Sequence, residues 1–165
     1  MISVTKSLPL GMMALLGAAW SSPALADAQI IFSGTLIDSP TCEINNNQRI
    51  DVPFGDDLIT TRVDGVNYKK EIEYTLNCEQ AASNAMRMTI KGTTAPFGSG
   101  LLTTNKTGLG IQLYVNTTTA LTLGSGVNFM YPGKPVLHAV PVAQDNKTLT
   151  AGSFTGSATM VIEYQ

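Results

Sequence analysis

Histidine, tryptophan and cysteine are nearly absent from this sequence, which holds only His138, Trp20 and the pair Cys42 and Cys78. Two cysteines and one histidine cannot supply a set of zinc ligands, so no metal site is expected, and a lone histidine leaves little room for histidine-driven catalysis. There is no Gly-x-Ser-x-Gly elbow and no phosphate-cradling glycine loop. Charge is also scarce: 10 basic and 12 acidic residues make 13% of 165, and none form a block of like sign. A nucleic-acid partner is not expected from such a balance. The chain is nevertheless 44% apolar, too apolar for a disordered tail, and its length suits one domain.

The first 26 residues are set apart. Lys6 is the only charge before Asp27, and LPLGMMALLGAAW from Leu8 to Trp20 is too short and too glycine-broken for a membrane span. It reads as the core of a signal peptide. Ala24-Leu25-Ala26 provides the small residues of a cleavage site, so the mature chain is expected to begin at Asp27. The competing reading is an uncleaved anchor. Export places the two cysteines in an oxidising compartment, where they pair by default. A Cys42–Cys78 bridge contributes about 4 kcal/mol by the chain-entropy estimate.

Helical periodicity is missing from the mature chain, and alternation of period two takes its place. Ile72, Tyr74 and Leu76 share one face of 69–77; Met86, Met88 and Ile90 share one face of the next run; Leu109, Ile111, Leu113 and Val115 do so in a third. Connectors such as Asn45-Asn46-Asn47, Gly98-Ser99-Gly100 and Gly124-Ser125-Gly126 separate them. Short strands at this spacing predict an all-β sandwich of antiparallel sheets. The last run, 154–164, puts Phe154, Ala158, Met160, Ile162 and Tyr164 on one face. Near the new N-terminus, Ala28, Ile30, Phe32, Gly34 and Leu36 alternate in the same way. A mid-strand glycine permits close approach of another backbone, so this segment is either a strand given to a partner or the domain's own first strand.

Both ends resemble the chaperone-usher fimbrial pilins of the type 1 and P kind. AGSFTGSATMVIEYQ is similar to that family's closing motif, with Gly152 fourteenth from the end and Tyr164 second from it. FSGTLIDSPTCEI resembles the family's extension, glycine and first cysteine in that order. The resemblance implies an incomplete immunoglobulin-like sandwich lacking its last strand, with a signal peptide at 1–26, a donor-strand extension at 27–38 and a pilin domain at 39–165. It implies that Ala28, Ile30, Phe32, Gly34 and Leu36 enter a neighbour's groove, with Gly34 where that groove is shallow. Gly152, Phe154, Ala158, Met160, Ile162 and Tyr164 line this subunit's own groove or the core beneath it. The partners implied are a periplasmic chaperone that grips the carboxylate of Gln165, an outer-membrane usher and neighbouring pilins. The place implied is the cell surface, reached through the periplasm. A minor or adaptor subunit is favoured over a rod subunit, and neither a cofactor nor a small-molecule substrate is expected.

The rival reading is a secreted receptor- or carbohydrate-binding sandwich, for which Tyr114 and Tyr131 are the aromatics to inspect once Trp20 is removed with the signal. His138, in the alternating run VLHAVPV, reads as a strand histidine rather than a base. Asp56-Asp57 reads as a solvated turn, and the Asn-x-Thr triplets at Asn105, Asn116 and Asn146 as chance matches in polar loops.

Overall fold

A computed structural model describes residues 31–34, 42–79 and 83–165. The expected signal peptide at 1–26 lies outside them, as do Ala28, Ile30 and Leu36 of the extension. The chain divides into two units, Met1–Ile37 and Asp38–Gln165. Of the first, residues 31–34 have no regular structure, with Ile31 78% and Phe32 91% exposed.

The second unit is built from strands, as the alternation predicts. They are β1 (Cys42–Ile44), β2 (Lys70–Ile72), β3 (Leu76–Cys78), β4 (Ala85–Gly92), β5 (Leu102–Thr103), β6 (Leu109–Val115), β7 (Thr119–Leu121), β8 (Gly126–Met130), β9 (Leu137–Ala143) and β10 (Ala158–Tyr164). One sheet runs β2-β9-β6-β5, with β7 also paired to β6, and a second runs β10-β4-β8. The strands within both sheets pair antiparallel. Most inward residues form one core, in which Met88 and Ile90 of β4 meet Leu102, Ile111, Leu113, Val115, Leu137 and Ala139 of the larger sheet, while Leu109 joins Val63 and Leu149 in a smaller cluster. A face of branched and unbranched aliphatics on each sheet is what makes two such layers adhere.

The strand expected over 69–77 is broken in two. Ile72, Tyr74 and Leu76 do share the inward face, but β2 pairs with β9 while β3 pairs with β1. Tyr74 marks the crossing. Its hydroxyl donates to the Pro135 carbonyl (2.6 Å), and Lys134 Nζ donates to the Tyr74 carbonyl (2.7 Å) while sitting 4.2 Å from its ring centroid. The lysine bond occupies the Tyr74 carbonyl that could otherwise serve the ladder, and burial pushes the Tyr74 phenol to a higher pKa. The Cys42–Cys78 disulfide joins β1 to β3 across a separation of 36 residues.

Immediately after β1 the chain makes a left-handed turn. Asn45, Asn46 and Asn47 have φ of 50°, 50° and 59°, a conformation that costs most side chains about 1–2 kcal/mol per residue and that asparagine tolerates. Asn45 Nδ2 bonds the carbonyls of Gln48 and Arg49 (both 3.2 Å). The turn redirects the chain from its pairing with β3 toward the side of the sandwich where β10 lies at an edge.

A groove beside the C-terminal strand

Residues 49–54, RIDVPF, alternate like a strand, with Ile50, Val52 and Phe54 half-buried and Arg49, Asp51 and Pro53 exposed. No pairing is recorded for them. Their apolar side chains form one wall of a groove of about 740 Å³, and Phe154, Ala158 and Met160 form the other. The floor is the core itself: Ile90, Leu102, Ile111, Leu113, Leu137 and Ala139. On the rim, Arg49 Nε pairs with Asp51 (2.8 Å), both well exposed, so the pair adds little stability.

The polarity of β10 follows from its register. Gln165 N donates to the Ala85 carbonyl (3.0 Å), and Tyr164 stands opposite Met86. In an antiparallel ladder, hydrogen-bonded and non-bonded pairs alternate, so odd-numbered residues of β10 bond β4. The bonds Gly124 N to Ile90 O and Tyr131 N to Asn84 O (both 2.8 Å) confirm that even-numbered β4 residues serve β8 instead. The N–H and C=O groups of Ala158, Met160, Ile162 and Tyr164 therefore point away from β4, along the edge of the sheet. That edge borders the groove. An edge that is apolar beneath and unpaired along its backbone is a template for another strand.

Phe54 and Phe154 meet across the groove with ring centroids 5.7 Å apart and planes tilted by 36°. Beyond them lies a second cavity of about 680 Å³, floored by Val63, Leu109 and Leu149 and flanked by Leu58 and Gly152. The two rings thus make the groove shallow at one place between two deep ones. Gly152 has φ of +123°, and Lys106 Nζ lies 3.4 Å from where its Cβ would stand. At Gly156 a Cβ would come within 3.0 Å of the Thr103 carbonyl, so the backbone there lies close against the opposite sheet.

The strand expected from 154 begins its regular pairing only at Ala158, where Gly92 ends β4. Upstream, Thr155 exchanges bonds with Asn105 instead: its N–H donates to Asn105 Oδ1 (2.8 Å) and its carbonyl accepts from Asn105 N (2.9 Å). Of the residues expected on one face, Phe154, Ala158 and Met160 line the groove, and Gly152 lines the second cavity. Ile162 packs on the core, and Tyr164 places its hydroxyl 3.3 Å from Cys42 Sγ. Gln165 reaches Asn128 with its side-chain amide (2.6 Å). Phe32 and Gly34 are exposed, and a Cβ on Gly34 meets nothing within 4 Å. The wall formed by Ile50, Val52 and Phe54 went unread in the sequence, although RIDVPF carries the alternation that signals it.

Among the described residues no cluster of three metal-ligating side chains exists. Tyr114 lies under Lys69 (4.7 Å to the ring centroid), while the Tyr131 hydroxyl accepts from Cys78 N (3.4 Å). His138 stands in a cross-strand row between Glu71 and Tyr114 with its Nδ1 buried and unpaired. Asp56 and Asp57 are exposed at a bend.

Comparison with known proteins places this architecture. A family model described as Fimbrial protein matches residues 30–165. The chain is 41% identical over 135 residues to the Escherichia coli K12 fimbrial-like protein YfcR, covering 79% of this chain and 77% of that one. It is 31% identical over 156 residues to the Escherichia coli minor fimbrial protein PrsF, covering 87% and 92%. Among solved structures, the P pilus adaptor subunit PapF superposes with a TM-score of 0.58 at 28% identity, over 78% of this chain and 98% of PapF. The P pilus rod subunit PapA gives 0.59 at 22% identity, over 83% and 100%.

Proposed function

We propose a role for the groove from one premise: this chain belongs to the fimbrial protein family and is a chaperone-usher pilin subunit. Its fold is the immunoglobulin-like sandwich lacking a strand, and its setting is an extracellular pilus in which it contacts neighbouring pilins. The groove between 49–54 and β10 accepts the N-terminal extension of a neighbouring subunit, and residues 27–38 of this chain fill the groove of the next. Before assembly a periplasmic chaperone occupies the same edge and holds the Gln165 carboxylate; an outer-membrane usher hosts the exchange. The similarity to PapF and PrsF supports a minor or adaptor position. The pilus so built serves adhesion.

The observation that carries this reading is the Phe54–Phe154 pair under a free strand edge. Gly34 is the position of the alternating face of the extension that lacks a side chain, and the ring pair is where the groove is shallow. Seating Gly34 on the rings sends Leu36 into the second cavity and Phe32, Ile30 and Ala28 along the longer first one. The added strand then runs antiparallel to β10, with its first residues toward Tyr164. Main-chain bonds to the β10 edge supply affinity, and the cavities select side chains.

Thermal unfolding tests this. A synthetic peptide of residues 27–40, in excess over the dilute, oxidised mature chain, raises the melting temperature by on the order of 10 °C, as expected for burial of several large apolar side chains. An unchanged melting curve at saturating peptide contradicts the assignment.

A further inference from the structure

Lys106 is a cation in a mostly apolar setting. It lines the second cavity, and its Nζ donates to the Ala151 carbonyl (3.2 Å) beside Gly152. An ammonium has three protons to donate, so this bond leaves it capacity. Among the described residues Arg49 and Asp51 form an ion pair, and Lys106 is in none. Asp56 on the opposite wall is the cavity's acidic lining residue, and it is exposed.

The extension carries a matching charge. Between Asp27 and Thr41 the charged residues are Asp27 and Asp38. Asp38 follows Leu36 by two positions, so on an extended strand it lies on the same face, about 6.8 Å further along. With Leu36 in the second cavity, Asp38 arrives at the rim where Lys106 Nζ stands. We propose that Asp38 of a second copy pairs with Lys106, and that this charge pair fixes the register of docking and favours extensions that carry a carboxylate two residues beyond the cavity-filling leucine. The inference rests on the donor-strand reading above. The pair acts at a partly solvated rim, so it steers association and selects partners more than it adds affinity.

The test compares two peptides of residues 27–40, one native and one with Asp38→Lys, on the mature chain and on its Lys106→Glu and Lys106→Gln variants. On the native chain at low ionic strength, Asp38→Lys binds about fivefold more weakly than the native peptide, and the gap closes at high salt. On Lys106→Glu the order of the two peptides reverses; on Lys106→Gln it disappears. A purely structural lysine changes the melting temperature of the chain alone but does not reverse peptide preference. Equal binding of both peptides to the native chain at low salt overturns the charge pair and leaves the donor strand standing. Absence of binding by the native peptide overturns both. Lys106→Gln keeps the comparison decisive even if Lys106→Glu does not fold.

Discussion

Replacing Gly34 by valine abolishes docking of the extension while leaving the chain's own folding untouched. Gly34 is exposed, and a Cβ there meets nothing within 4 Å, so the substitution costs the donor subunit nothing in packing. In the proposed register the same Cβ falls on Phe54 and Phe154 of the neighbour's groove, whose ring centroids are 5.7 Å apart. Two extra methyl groups over a filled site force the strand outward, at about 1–3 kcal/mol for overpacking, and lift the flanking Phe32 and Leu36 out of their cavities. The expected loss exceeds that of Phe32→Ala, which forfeits one anchor of roughly 3 kcal/mol but keeps the backbone seated. A Gly34→Val peptide therefore produces no rise in melting temperature, and a Gly34→Ala peptide a reduced one. Equal stabilisation by the native and Gly34→Val peptides sinks the assigned register.

Joining residues 28–37 to the C-terminus of the mature chain yields a soluble monomer that melts on the order of 15 °C higher. The figure follows from burying Ile30, Phe32 and Leu36 at about 1.5–3 kcal/mol each, less the ordering cost of the segment, over a domain of this size. Direction enters the prediction as well. Because the proposed strand starts beside Tyr164, a hairpin linker of about four residues suffices. A strand laid parallel to β10 has to start at the far end of the groove, and a short linker cannot span it. Stabilisation with long linkers alone reverses the assigned direction, and failure at every length removes the donor role.

Much of this was legible in the residues. The alternation in β4, β6 and β10 identified strands and their inward faces, because the apolar side chains of each gather on the core side while the other face carries polar or smaller residues, and that asymmetry is what period two records. The break in 69–77 was not legible, since Ile72, Tyr74 and Leu76 face inward on both sides of it. What splits the segment is Lys134, some 60 residues away in sequence, clasping the Tyr74 carbonyl. The opposite wall of the groove was hidden for a different reason. RIDVPF alternates but holds no ladder bonds, and Pro53 in its midst argues against a strand. The asparagine turn at Asn45–Asn47 read as a connector; its left-handed backbone, which redirects that wall, depends on φ values that composition only suggests. Asn105 likewise read as one of several chance triplets, and its side chain ties down Thr155 at the foot of the C-terminal strand.

Hydrogen exchange at individual amides of β10, with and without the peptide of residues 27–40, tests the central claim most directly. In the chain alone the odd-numbered amides of β10 are protected by β4, and those of Ala158, Met160 and Ile162 exchange faster because their N–H groups face the groove. The account predicts that peptide slows exchange at these even-numbered positions selectively, as a new ladder forms along the free edge. Unchanged exchange at Ala158, Met160 and Ile162 in the presence of saturating peptide contradicts strand addition at this edge.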